Sequence, residues 1–214
     1  LRMLLPAARA LARNALPKWD RNYFEILAEN ATDDTLEPAY RALLLTPPGE
    51  AEIAQAMGRN VDPEAIRKAR RGLMARIGQT TEPHRAALSA AIRLDAPYSP
   101  DAAGAGARSL KNMLLTLGVL ADSEAAETAS LAQFEQADNM TDRFAALTRI
   151  VHCHASAEAA NSALSDFANR YGEDALVMDK WFAVQASAAN PKAAASVAKL
   201  MRHEAFSLTN PNRV

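Results

Sequence analysis

His203 and Glu204 carry the first half of a metal-binding pattern. In the full pattern, His-Glu-x-x-His, two imidazoles one helical turn apart bind zinc, and the glutamate activates a metal-bound water molecule. Ser207 stands where the second histidine would be. Because the pattern is incomplete, the sequence predicts no metal site and no catalytic residue here. We interpret His203 and Glu204 as surface residues.

The segment His152-Cys153-His154 offers a second group of candidate ligands. Residues i and i+2 of a helix point about 200° apart, so the two histidines can share a metal only if a loop brings them together. Adjacency in sequence does not place either histidine as a base for Cys153. We interpret all three as structural or solvent-facing residues. A single cysteine excludes an intramolecular disulfide and is typical of a reducing compartment.

Two further patterns contain only part of what an anion-binding site requires. Gly104 and Gly106 lack the preceding strand and the following Gly-Lys-Ser/Thr of a phosphate loop. The basic run over residues 67–71, with Arg76, covers several faces of a helix, and Glu64 offsets it. We therefore interpret this run as a solvated surface.

The elements that must position these residues are helices. Alanine and leucine dominate, and no segment alternates between apolar and polar residues with period two. Apolar residues recur at helical spacing in segments 4–11, 23–27, 40–45, 53–57, 66–77, 84–94, 110–120, 125–134, 140–151, 157–171, 176–188 and 193–201. Helix starts are indicated by Asp62-Pro63, Ser99-Pro100-Asp101 and Asn139.

The helix lengths and spacing predict a repeat architecture. Helices of about 12–17 residues joined by short turns favour antiparallel neighbours, and about 35–40 residues per pair is the size of an α-solenoid repeat. We predict an all-α fold: an irregular superhelix of antiparallel helix pairs, similar to a HEAT or armadillo solenoid. Residues 1–214 are predicted to form one domain, with a soft point near residues 95–108 where Gly104 and Gly106 allow a hinge or a weak helix start.

Trp181 and Phe182 are predicted to be packing residues. The neighbouring Leu176, Val177 and Val184 recur with Trp181 at helical spacing, which indicates one apolar helix face. A ligand-stacking platform is the alternative.

Composition argues against several classes of partner. The 214 residues are 49% hydrophobic and 23% charged, with a formal net charge of −1, so nothing in the overall charge favours a nucleic acid or an anionic membrane. No apolar run approaches the roughly 20 residues of a membrane span. These features predict a soluble protein of the cytoplasm.

The chain ends just after a helix-start signal. Thr209 or Asn210 can cap a helix that begins at Pro211. We therefore expect a piece of a longer protein, with the solenoid truncated at its C-terminus. Val184, Val197 and Leu200 are then predicted to be exposed for want of a covering helix, and to promote self-association through this end.

Three segments together resemble the C-terminal part of the bacterial aminopeptidase N family, the gluzincin-type zinc metallopeptidases also called membrane alanyl aminopeptidases. The resemblance is close over residues 101–214 and looser over residues 43–77, and residues 1–41 are placed by continuity. The three segments are Ala137-Asp-Asn-Met-Thr-Asp-Arg-Phe-Ala-Ala-Leu147, Ala175-Leu-Val-Met-Asp-Lys-Trp-Phe182 and His203-Glu-Ala-Phe-Ser-Leu-Thr-Asn-Pro-Asn-Arg213.

The resemblance implies a non-catalytic helical domain that caps the catalytic domain of a parent enzyme and limits the access of substrates. The parent would remove N-terminal amino acids from peptides, so its catalytic domain and its peptide substrates are the implied partners. In that family, zinc is held by His-Glu-x-x-His and a downstream glutamate, and Gly-x-Met-Glu-Asn binds the substrate amine. Neither motif occurs here, so zinc is expected in the parent and no cofactor in these 214 residues.

Arg213 is the residue that we predict to lie near the substrate channel of the parent. Just inside a helix start, its guanidinium and the backbone N–H groups would attract peptide carboxylates. An ion pair with a neighbouring helix is the alternative. For the whole chain, the alternative hypothesis is an independent α-solenoid scaffold that binds a protein partner in its concave face.

Overall fold

The computed structural model describes residues 1–84, 87–88, 92, 98–121, 123–152, 156–189 and 193–213, with the backbone alone for residues 123–126. All regular secondary structure in these ranges is helical, which confirms the predicted all-α class. None of the helices described combines the length and apolarity needed to cross a membrane. Most of the helix predicted over residues 84–94 lies outside the described residues.

The chain forms two compact units, Leu1–Ala126 and Glu127–Val214. In the first unit the helices are α1 (Leu4–Leu11), α2 (Arg21–Thr32), α3 (Pro38–Leu44), α4 (Glu50–Met57), α5 (Pro63–Thr81), a 3₁₀ turn (Glu82–His84) and α6 (Ala102–Ala121). Helix α7 (Ser123–Gln136) includes the division, and the second unit continues with α8 (Met140–His152), α9 (Ala157–Tyr171), α10 (Ala175–Ala186), α11 (Ala193–Leu200) and a 3₁₀ turn (Pro211–Arg213). The single domain predicted for residues 1–214 stays a prediction.

Side-chain caps set several helix starts. Asp62 accepts a hydrogen bond from the Ala65 N–H at 3.0 Å, ahead of α5, and Asn139 accepts from the Asp142 N–H at 2.9 Å, ahead of α8. Asp101 accepts from the Gly104 N–H at 2.7 Å, ahead of α6. Each cap satisfies a backbone donor that the first turn leaves unpaired. The predicted starts are confirmed, and the glycines of the predicted soft point lie inside α6.

Helix α5 is central to the first unit. Its buried residues Ile66, Ala69, Leu73 and Ile77 recur at helical spacing, and the helix contacts α1, α2, α4 and α6. These side chains belong to one apolar cluster with buried residues of α1 and α6. Burial against several neighbours removes much apolar surface from water, and this stabilises the unit.

Helices α5 and α6 approach closely at Gly78. A methyl group there would clash with the Leu117 carbonyl oxygen and lie 3.0 Å from the Ala121 Cβ. Because backbone cannot swing aside, we expect Gly78→Ala to lower the free energy of unfolding by about 1–3 kcal/mol, as measured by urea denaturation.

Gly72, on the same helix, supplies the control for Gly78. Its added methyl would meet only the Trp19 ring, at 3.4 Å, so Gly72→Ala should gain up to about 1 kcal/mol from helix propensity. Equal effects of the two substitutions would contradict the close approach.

Aromatic residues form much of the core of the second unit. The Phe167 side chain is fully buried, and its ring lies 4.8 Å from that of Tyr171 and 5.9 Å from that of Phe144. Trp181 is 8% exposed, and its indole N–H donates to the Leu164 carbonyl at 2.9 Å. The predicted packing role of Trp181 is confirmed.

The chain that follows α11 returns to α10. The Phe206 ring lies 6.1 Å from the Phe182 ring, and the final 3₁₀ turn contacts α10. Val184 and Leu200 are buried, and Val197 is half-buried. The prediction that these three are exposed is wrong, because α10 packs against α8, α9 and α11 within the second unit.

Other apolar side chains of the second unit are exposed. They are Leu176, Met201 and Leu208, with exposed fractions of 71%, 51% and 69%. Self-association through the C-terminal end stays a prediction. The contact surface would be formed by these exposed residues and not by the buried ones.

Candidate functional site

An ion pair joins α10 to the final turn of the chain. The Arg213 Nε lies 2.5 Å from the Asp179 Oδ1, and the two side chains are 9% and 12% exposed. The Asn210 amide also donates to Asp179 Oδ1, at 3.3 Å. We call these three residues the C-terminal clamp.

The rest of the Arg213 guanidinium is bound by the same unit. One terminal nitrogen donates to the Ala205 carbonyl and the other to the Ala175 carbonyl, the latter at 3.2 Å. The guanidinium carbon also lies 5.4 Å from the Phe182 ring centre, a cation–π distance. The structure thus has the ion pair with a neighbouring helix that was the alternative for Arg213. Proximity to a substrate channel stays a prediction.

His203 lies beside the clamp in an aromatic group. Its ring centre is 5.1 Å from that of Trp181 and 5.4 Å from that of Phe182, and its Nδ1 accepts from the Ala205 N–H at 3.1 Å. His203, which we interpreted as a surface residue, is half-buried, because the chain that follows α11 packs its ring against two aromatic residues of α10. Glu204 is exposed, as predicted.

The residues that the structure describes do not form a zinc site. Among the described residues, no three His, Cys, Asp or Glu side chains converge as metal ligands. Cys153 and His154 lie outside the described residues. We therefore derive no catalytic step through zinc on this chain.

His152 connects the end of α8 to α10. Its Nε2 lies 2.8 Å from the Val184 carbonyl oxygen and 3.5 Å from the Ser187 hydroxyl. Burial lowers the pKa of His152 below its usual value, and the Arg149 charge adds to this, whereas the hydrogen bond to Val184 opposes it. Because a carbonyl oxygen can only accept, Nε2 carries a proton in this contact and donates to Val184.

The lowered pKa of His152 makes stability depend on pH. The unfolded state takes up a proton at about pH 6.5, whereas the folded state does so only at lower pH. The contribution of His152 to the free energy of unfolding is therefore fully present above about pH 7. It is lost as the pH falls from there through the lower pKa of the folded state. We expect Tm to fall less between about pH 7.5 and 5.5 in His152→Gln, which keeps a donor to Val184, than in the parent chain. Parallel Tm curves would rule out His152 as the source.

Arg143 is a buried residue that sequence reasoning missed. It is 6% exposed, and its two terminal nitrogens donate to the Phe134 carbonyl, at 2.8 Å, and to the Ala137 carbonyl. It thereby satisfies acceptors at the C-terminal end of α7. A signal was available, since positions 139 and 147, one turn away on either side, hold Asn and Leu and offer no carboxylate partner.

The basic run on α5 is held by local partners. Arg67 forms two hydrogen bonds with Glu64, at 2.9 and 2.8 Å, and Arg70 donates to the Pro48 carbonyl at 2.9 Å. The predicted offset by Glu64 is confirmed, and Arg70 connects α5 to the segment that precedes α4.

Comparison with known proteins places the whole chain in one family. The family model described as "Domain of unknown function (DUF3458_C) ARM repeats" matches residues 2–214. The chain belongs to the DUF3458_C family. Its description as ARM repeats agrees with the predicted armadillo-like solenoid and with the all-helical structure.

Relatives of this DUF3458_C chain are named aminopeptidase N. The protein from Caulobacter vibrioides is 36% identical over 91% of this chain and 22% of its own length. The protein from Escherichia coli is 29% identical over 85% of this chain and 20% of its own length. The chain thus spans about a fifth of the length of these relatives, and the resemblance predicted from the three segments is confirmed.

A solved structure shows the same fold. It is a Legionella pneumophila aminopeptidase A in complex with aspartic acid, with a TM-score of 0.84, 25% identity and coverage of 100% of this chain and 26% of that chain. In the DUF3458_C chain, Asp179 of the C-terminal clamp lies in the second of the three segments that resemble aminopeptidase N, and Asn210 and Arg213 lie in the third. Arg143, in the first of these segments, donates to carbonyl groups at the C-terminal end of α7.

Proposed function

We propose that this chain is the non-catalytic C-terminal domain of a zinc-dependent aminopeptidase. The observation that supports the proposal is that the match covers most of this chain but only a small part of each relative. Relatives named aminopeptidase N match 80–91% of this chain, whereas the chain spans only 19–22% of their length. A match over one whole helical region is what a domain of a longer enzyme would give.

In this proposal the domain caps the catalytic domain and limits the access of peptides to it, in the cytoplasm. Zinc, bound elsewhere in the parent, would polarise the scissile carbonyl and lower the pKa of a water molecule. The contribution of these residues would be exclusion and positioning rather than bond making.

A comparison of two proteins tests the assignment. The protein of the complete reading frame should contain His-Glu-x-x-His, bind about one zinc per chain and hydrolyse aminoacyl p-nitroanilides. The 214-residue chain should do neither. A tightly bound zinc in the 214-residue chain would overturn the proposal. So would a reading frame without the motif, which is the result that the independent scaffold hypothesis predicts.

The access role needs a separate test in the longer enzyme. If Arg213 lies near the channel, Arg213→Ala should change kcat/KM differently for short and long peptides. Asp179→Asn is the matched control, because it disrupts the clamp and keeps the guanidinium. Equal effects of both variants at every peptide length would assign Arg213 to the clamp alone.

A further inference from the structure

A cavity of about 510 Å³ lies in the first unit, between residues 17–25, which include the start of α2, and the C-terminal half of α5. Trp19 and Phe24 line it with aromatic surface, whereas Arg21, Arg76 and Gln79 line it with polar groups. Trp19 packs against the apolar core and Phe24 is 6% exposed, so this wall is held in place. The volume is in the range of pockets that hold small ligands.

The charges of this cavity favour an anion. The Arg21 Nε lies 2.8 Å from the Glu25 Oε1, so these two charges offset each other. The Arg76 backbone carbonyl accepts from the Thr80 hydroxyl at 2.9 Å, whereas the Arg76 guanidinium makes no hydrogen bond or ion pair with any residue that the structure describes. The lining therefore has one uncompensated positive charge, carried by a guanidinium that can bind a carboxylate with two parallel hydrogen bonds.

Two further donors have no partner in the described part of the chain. They are the Trp19 indole N–H and the Gln79 amide, both in the cavity lining. An acceptor that enters here can take hydrogen bonds from them without breaking bonds within the protein.

A second cavity shows why the free arginine matters. It measures about 360 Å³ and lies between α7 and α9 in the second unit, where Arg170 and Asp166 both line it. These two side chains are already paired, with 2.7 Å between Nε and Oδ2. Glu135 also lines this cavity and adds a negative charge, so its lining does not favour an anion.

We propose that the first cavity binds the C-terminal residue of a short peptide. The carboxylate lies on Arg76, and an aromatic side chain lies against Trp19 and Phe24. The unpaired donors and the aromatic side chains of the cavity suffice to bind one terminal residue. Binding therefore needs neither the amino terminus of the peptide nor its middle residues. The site does not depend on the proposed enzymatic function.

The two tryptophans of the chain make a direct measurement possible. Each indole N–H gives one signal in a ¹H–¹⁵N NMR spectrum of the 214-residue chain. The Trp181 indole donates to Leu164 in the second unit, so its signal is an internal reference. We expect N-acetyl-Ala-Phe to shift the Trp19 signal with a millimolar or lower Kd and to leave the Trp181 signal in place.

The carboxylate and its arginine are then removed one at a time. The C-terminal amide of the same peptide should bind at least about tenfold more weakly, since a charge-assisted hydrogen bond is lost. Arg76→Gln should weaken the free acid by a similar factor and leave the amide unchanged. Arg71 is an exposed arginine on the same helix and does not line the cavity. The Arg71→Gln variant should therefore bind both peptides as the parent chain does.

Several results would overturn the site. They are no Trp19 shift at about 10 mM peptide, equal Kd values for acid and amide, or an unchanged Kd for the acid in Arg76→Gln. Because Arg76 is exposed, its substitution leaves the core intact, and a loss of binding reports on the site rather than on folding.

Discussion

Trp181→Ala is expected to lower the free energy of unfolding by about 3–5 kcal/mol, the usual cost of removing a large aromatic ring from a core. The side chain is 8% exposed, and its ring lies 5.1 Å from those of Phe182 and His203. Truncation therefore leaves a cavity and removes contacts to the returning chain at once. Since domains are stable by only about 5–15 kcal/mol, urea denaturation should show a large shift.

Trp181→Phe is the control for the ring itself. It keeps most of the aromatic volume but removes the donor to the Leu164 carbonyl, so about 1 kcal/mol should be lost. If Trp181→Ala were no more destabilising than Trp181→Phe, the ring would not be a core element.

Breaking the C-terminal clamp is the second large effect. Asp179→Asn removes the partner of a guanidinium that is 9% exposed, and an uncompensated buried charge costs about 3–5 kcal/mol. Because the clamp connects residues 201–213 to α10, we expect Asp179→Asn to lower the free energy of local unfolding of this segment by that amount. Hydrogen exchange of the backbone amides of residues 201–213 measures this free energy.

An exposed pair on α9 provides the matched control for the clamp. Arg170 and Asp166 lie at the same kind of distance, 2.7 Å, but are 50% and 40% exposed. Asp166→Asn should therefore cost less than about 1 kcal/mol. Exchange rates at residues 201–213 that do not change in Asp179→Asn would show that the clamp does not hold the segment.

The family assignment shows how far short sequence segments carry information. Three segments sufficed to indicate aminopeptidase N relatives, although this chain spans only 20–22% of the length of those relatives. The ligand site that we propose beside Arg76 has no sequence motif, because its lining comes from α5 and from a segment some 50 residues earlier.

The sequence by itself determined the helices. Caps such as Asp62 and Asn139 act on donors three residues away, and apolar spacing such as that of Ile66, Ala69 and Leu73 repeats within one helix. Both signals are local, so they can be recognised without knowledge of the fold.

Only the tertiary structure decided the environment of the polar and terminal residues. Arg213 pairs with Asp179 across 34 positions, and His152 contacts Val184 across 32. Local periodicity contains no information about such distant partners. Val184, which the sequence had indicated as exposed, is buried on α10, and the physical reason is that its neighbours come from elements distant in sequence, such as His152 of α8 at its carbonyl oxygen.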